Sequence, residues 1–147
     1  MVLYLGELRG FRHFCDESQC IIHNAKCRIE ISMNGNVIES KSFDFAVRIV
    51  NLHKHLSTEK KEFVLSKQLL RSGTSIGANV SEAIRGQSKA DFAAKMCIAL
   101  KEANESHYWI RLLYKTDFIT EQEFNSIEND IIELIKILSS ICKTSTQ

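Results

Sequence analysis

Four stretches of the chain repeat apolar residues every three or four positions, and the stretch before them does not. From Lys41 to Leu56, Phe45, Ile49, Leu52 and Leu56 step by four, three and four, with Phe43, Ala46, Val47 and Val50 set to widen the stripe. From Glu62 to Arg85, one side carries Leu65, Leu69, Ser72, Ile76, Val80 and Ala83. Phe92, Met96, Ala99, Ala103, Ser106, Ile110 and Leu113 alternate four and three, as do Phe124, Ile127, Ile131, Leu134, Leu138 and Ile141. Kept over several heptads, this spacing belongs to helices packed with a left-handed crossing. Local signals agree with the periods. Ser88 stands three residues before Asp91, Thr120 and Glu123 read as a capping box, and Gly86 falls where the second helix should end. Short links make successive helices antiparallel neighbours. The expected fold is all-α, an antiparallel up-down-up-down four-helix bundle over residues 41–143.

Residues 1–40 lie outside this pattern and form an N-terminal extension open to two readings. Lys26 to Ser32 alternates polar and apolar residues, and Asn34-Gly35 then precedes Asn36-Val37-Ile38, a hairpin signal. Alternatively Met33 is the true start, and residues 1–32 are upstream translation with no selected structure. A lone two-stranded hairpin is marginal in water.

Composition narrows the class without naming a function. The chain has 147 residues, 44% hydrophobic and 25% charged, which is one globular domain with a core of its own. It contains no proline, so no position forces a helix to stop. Net charge is only +1, but 13 Lys/Arg face 7 Asp/Glu between Lys41 and Lys115, against 2 and 6 from Thr116 onward. This asymmetry fits weak polyanion binding or head-to-tail contact between subunits. No apolar run approaches the ~20 residues of a membrane span, and the first residues lack the core of a signal peptide. Five cysteines, an odd number with three near the start, argue against a disulfide framework. A cytoplasmic location, with no membrane partner, is expected.

Candidate chemistry is sparse. Cys15, Cys20 and Cys27, with His13 and His23 among them, resemble a zinc set only loosely. A carboxylate-bridged metal pair needs Glu-x-x-His motifs, which the chain lacks. No Ser, Cys or His has the setting of an activated nucleophile, and the glycine stretch lacks the lysine of a phosphate loop. The expectation is therefore a protein that is not an enzyme, with no metal and no cofactor.

The second helix holds what remains. Gly73 and Gly77, extended by Ser81, cost about 1 kcal/mol per glycine against alanine in a helix, which implies close approach by a neighbouring helix. Arg71, Ser75, Asn79 and Glu82 flank this groove. If buried, they must pair with one another or with Glu102 and Glu105, as a network that fixes helix register. Lys60, Lys61, Lys67, Arg71, Arg85, Lys89 and Lys95 gather on and around the same helix as a candidate nucleic-acid surface. Tyr108, Trp109 and Tyr114 suit either the core or an oligomer interface.

Leu70 to Ala83, followed by Ser88-x-x-Asp91-Phe92 and Lys101-Glu102-Ala103-x-Glu105-Ser106-x-Tyr108-Trp109, closely resembles the four-helix-bundle family of 23S rRNA-intervening-sequence proteins. The resemblance spans Phe43 to Ile141 and is most specific at Arg71, Ser72, Ser75, Ile76, Asn79 and Glu82. It implies a small bacterial bundle that assembles with itself as a ring, commonly a homopentamer. It also points to a relative, the accessory variability determinant of diversity-generating retroelements, a basic pentameric barrel that binds nucleic acid and its reverse transcriptase. Two functions stay open: a homo-oligomeric accessory factor that binds RNA or DNA, alone or beside a reverse transcriptase or other protein, and a structural or protein-binding scaffold.

Overall fold

The structure, a computed structural model, describes the backbone of residues 17–145 and the side chains of residues 37–145. The candidate zinc set (His13, Cys15, Cys20, His23 and Cys27) and the Met33 start lie outside those described side chains. The chain divides into two compact units, Met1–Asn34 and Gly35–Gln147. Four helices follow in order: α1 (Glu17–Thr58), α2 (Leu65–Ile84), α3 (Lys89–Lys115) and α4 (Glu121–Ser145).

The hairpin, one of the two readings of the extension, is not formed, because both of its arms lie within α1. No proline interrupts the segment, and backbone hydrogen bonds within a helix need no second strand or sheet face to complete them.

In the second unit the helices close into a ring around one core. Ile38, Ser42, Phe45, Ile49, Leu52 and Leu56 of α1 are buried and alternate steps of four and three. They meet Leu69, Ser72, Ile76, Val80 and Ala83 of α2, Met96, Ala99, Ala103, Ser106, Ile110 and Leu113 of α3, and Ile127, Ile131, Leu134, Leu138 and Ile141 of α4. Side-chain contacts join α1 to both α2 and α4, while α3 packs on α2 and α4. The order is up-down-up-down. Two residues expected to widen the core stripe of α1 do not: Phe43 and Val47 are 67% and 45% exposed. At 3.6 residues per turn they lie on the side of α1 away from Ile49.

The helix ends show why the chain stops and restarts where it does. Ser88 Oγ accepts the Asp91 N–H at 3.1 Å, opening α3. Thr120 and Glu123 cap α4 reciprocally: the Thr120 N–H donates to Glu123 at 2.8 Å, and the Glu123 N–H donates to the Thr120 hydroxyl at 3.3 Å. The Glu123 carboxyl is held low by these Thr120 bonds, against an upward push from burial, with His55 and Lys60 lowering it further. The Gly86 N–H donates to the Ala83 carbonyl at 3.0 Å, just past the end of α2.

Candidate nucleic-acid interface

The turn that opens α2 sets the geometry of the basic residues. Lys61 adopts φ 53°, and the reversal it makes sends the Glu62 side chain beneath the new helix. Glu62 accepts the N–H groups of Val64, Leu65 and Ser66 at 2.9, 2.7 and 2.7 Å, three donors a helix start would otherwise leave open. Only 7% of Glu62 is exposed. Burial pushes its carboxyl up, but the bonds from Leu65, Ser66 and Val64 outweigh it and hold the pKa below the ordinary value. Ser66 adds a link to α1, its hydroxyl lying 3.1 Å from His53 Nδ1. Periodicity alone places Glu62 inside the second helix. The telling signal is a carboxylate three residues ahead of Leu65, where the apolar stripe of the helix begins, with no Ser, Thr, Asp or Asn between them.

This turn leaves Lys60 and Lys61 exposed in the link, and Lys67 and Arg71 exposed on the first two turns of α2. None of the four forms an ion pair among the described residues. The remaining candidates stand at the other end of the helix. Arg85 donates to Glu39 at 3.3 Å and to the Ser81 hydroxyl at 2.6 Å. Lys95 donates to Glu82 at 2.6 Å, and that hydrogen bond, with the Glu82 charge, raises its pKa. Lys89 is exposed in the first turn of α3. At 1.5 Å per residue, Lys67 and Arg85 are about 27 Å apart along α2. The seven residues make two groups, not one patch: an open one at the start of α2 and a largely paired one at its end.

Gly73 and Gly77 face α1. A Cβ on Gly73 would stand 3.0 Å from both Cγ1 and Cγ2 of Ile49, and one on Gly77 would stand 3.4 Å from the Ser42 carbonyl. Ser81 is half-buried and engaged by Arg85. The expected polar network takes a different form. Arg71 and Glu82 are exposed, and Glu82 turns to Lys95; Asn79 bonds only within α2, to Ser75 at 2.9 Å. Glu105 accepts from Trp109 of its own helix at 3.2 Å, and Glu102 contributes its backbone carbonyl to Ser106 at 2.8 Å. The reason is rotation: α2 and α3 face each other through Ser72 and Ser106, whose hydroxyls lie 2.9 Å apart and fully buried. Both serines sit within the apolar stripes, which was the legible sign of a polar link there.

The acidic fourth helix is directed largely onto its own bundle. Glu133 accepts from Lys41 at 2.9 Å, Asp130 pairs with Arg48, and Glu128 meets His107 at 3.2 Å. Arg48 also reaches the Ser126 hydroxyl at 2.7 Å. Tyr114 stacks on Phe124 at 4.3 Å between α3 and α4, while Tyr108 is 58% exposed. Among the described residues no three His, Cys, Asp or Glu side chains converge on a metal position, and no helix is long and apolar enough to cross a membrane.

With this geometry in place, the chain can be set beside known proteins. The model of the 23S rRNA-intervening sequence protein family matches residues 35–140. A solved structure of a protein with unknown function from the S23 ribosomal protein family of Bacteroides thetaiotaomicron is 59% identical, with a TM-score of 0.73. The match covers 75% of this chain and 98% of that one. Among curated proteins none matches. The chain belongs to the 23S rRNA-intervening sequence protein family.

Proposed function

We propose that this member of the family is a non-enzymatic, self-associating helical bundle that contacts nucleic acid through Lys60, Lys61, Lys67 and Arg71. The observation that carries this reading is the difference between the two basic groups. At the start of α2 four cations are exposed and unbridged, whereas Arg85 and Lys95 are engaged by Glu39 and Glu82. Exposed cations on a rigid turn neutralise phosphates without reading sequence. The association of the family's name with 23S rRNA supports RNA as the first probe. Self-association is supported by the outward side of α1, where Phe43 and Val47 stand exposed beside half-buried Ala46 and Val50. A ring would bring several copies of the basic turn into one field.

The test is fluorescence anisotropy of labelled RNA and DNA over a salt series, with mass in solution measured alongside. The expected result is binding at low salt that weakens steeply as salt rises. Reversing Lys60, Lys61, Lys67 and Arg71 to Glu should abolish it, while reversing Arg85 and Lys89 should leave most of it. A Phe43→Glu, Val47→Glu pair should reduce the mass to that of a monomer. Absence of binding at low salt, with self-association intact, would overturn the nucleic-acid reading in favour of a protein scaffold.

A further inference from the structure

Two cysteines on neighbouring helices stand outside everything described so far. Cys97 lies in the third turn of α3, half-buried, and Cys142 lies near the end of α4, buried. The helices run antiparallel, and their register can be read from the Tyr114–Phe124 stack. Seventeen residues back along α3 from Tyr114 is Cys97, and eighteen forward along α4 from Phe124 is Cys142. At 1.5 Å per residue these displacements are about 26 and 27 Å, so the two cysteines share one level of the bundle. Cys97 lies close enough to raise the pKa of the Cys142 thiol. Cys142 belongs to the core with residues such as Met96, Leu138 and Ile141, and Cys97 packs against it.

We propose that Cys97 and Cys142 form a reversible disulfide that joins α3 to α4 when the protein meets hydrogen peroxide. Cys97 is the more exposed sulfur and reacts first. Its thiolate attacks one peroxide oxygen, the O–O bond breaks, and the departing hydroxide takes a proton to become water, leaving a sulfenic acid on Cys97. The Cys142 sulfur then attacks the Cys97 sulfur. The S–O bond breaks, and the Cys142 proton leaves with the hydroxide as a second water. The two thiols lose two electrons and the peroxide gains them. Burial, with the Cys97 hydrogen bond and charge adding to it, pushes the Cys142 thiol up to about 12, so this sulfur is held as a thiol and leaves the first reaction to Cys97. The pairing is independent of self-association and of nucleic-acid binding.

The reduced, full-length protein is exposed to hydrogen peroxide, quenched with catalase, denatured, alkylated, digested and mapped by mass spectrometry. The expected product is a peptide pair joined through Cys97 and Cys142, two hydrogens lighter than its parts and released by dithiothreitol. The oxidised protein should also melt several degrees higher than the reduced one. Cys97→Ser should lose both effects and leave Cys142 fully alkylated. Mapping of the unsubstituted protein decides the question even if that variant folds poorly. Recovery of alkylated Cys142 beside sulfinic Cys97, or of Cys97 joined to Cys15, Cys20 or Cys27, would overturn the proposal.

Discussion

Helix α1 meets its two neighbours with a different balance of contacts. Toward α2 the middle of the seam is steric: Ile49 fits against the bare backbone of Gly73, and the Ser42 carbonyl approaches Gly77, with the polar links His53–Ser66 and Glu39–Arg85 at its two ends. Toward α4 long side chains span the seam, Lys41 to Glu133 and Arg48 to Asp130, with every partner between 38% and 52% exposed. Exposed ion pairs contribute about 0–1 kcal/mol and are screened by salt. Shape complementarity between buried atoms tolerates little change in volume. The α2 seam therefore fixes register, and the α4 seam adjusts it.

The sharpest way to break this contrast is Gly73→Leu, which should destabilise the bundle by about 3 kcal/mol because the side chain must enter space held by Ile49. Urea denaturation measures it. Pairing the change with Ile49→Ala should recover more than about 1 kcal/mol, the mark of direct contact. Full additivity of the two changes would show that the seam is not sterically set.

Next in size is Glu62→Gln, with an expected loss of about 2 kcal/mol at neutral pH, since three helix donors rest on the carboxylate. The folded pKa of Glu62 lies below its unfolded value, so its contribution is complete above the ordinary carboxylate range. It is lost as pH falls through the lowered value. The stability gap between the unsubstituted protein and the Glu62→Gln variant should thus stay constant well above the ordinary carboxylate value and shrink as pH falls below it. A gap that widens on acidification would reverse the sign of the assignment.

The smallest effect belongs to the other seam. Lys41→Ala should cost less than about 0.5 kcal/mol, and the loss should vanish in high salt. A loss comparable to that of Gly73→Leu would erase the distinction between the two seams.

The pattern of residues made most of this architecture readable. Stripes such as Ile127, Ile131 and Leu134 depend only on the period of a helix, and the caps at Ser88 and Thr120 act within a few residues. What could not be read depends on rotation and distance between elements. Phe43 looks like core because a stripe has no visible edge in one dimension. Lys67 and Arg85 look like one patch because a string of letters hides the length of α2. Arg71 and Glu82 look like a buried network only until the Ser72–Ser106 contact shows how α2 is turned. The basic face was thus half legible: the residues are there, but their grouping is a three-dimensional fact.

The fit of Ile49 against Gly73 reaches further than the seam it closes. A helix cannot turn one side inward without turning the other outward, and Phe43 and Val47 stand away from Ile49 around α1. An absent side chain on α2 therefore aims the lettering on the outside of the molecule. A substitution at Gly73 mild enough to leave the fold standing would rotate α1 by a few degrees and shift the exposed Phe43 and Val47, so under the proposed self-association a defect inside one copy would first be felt between copies.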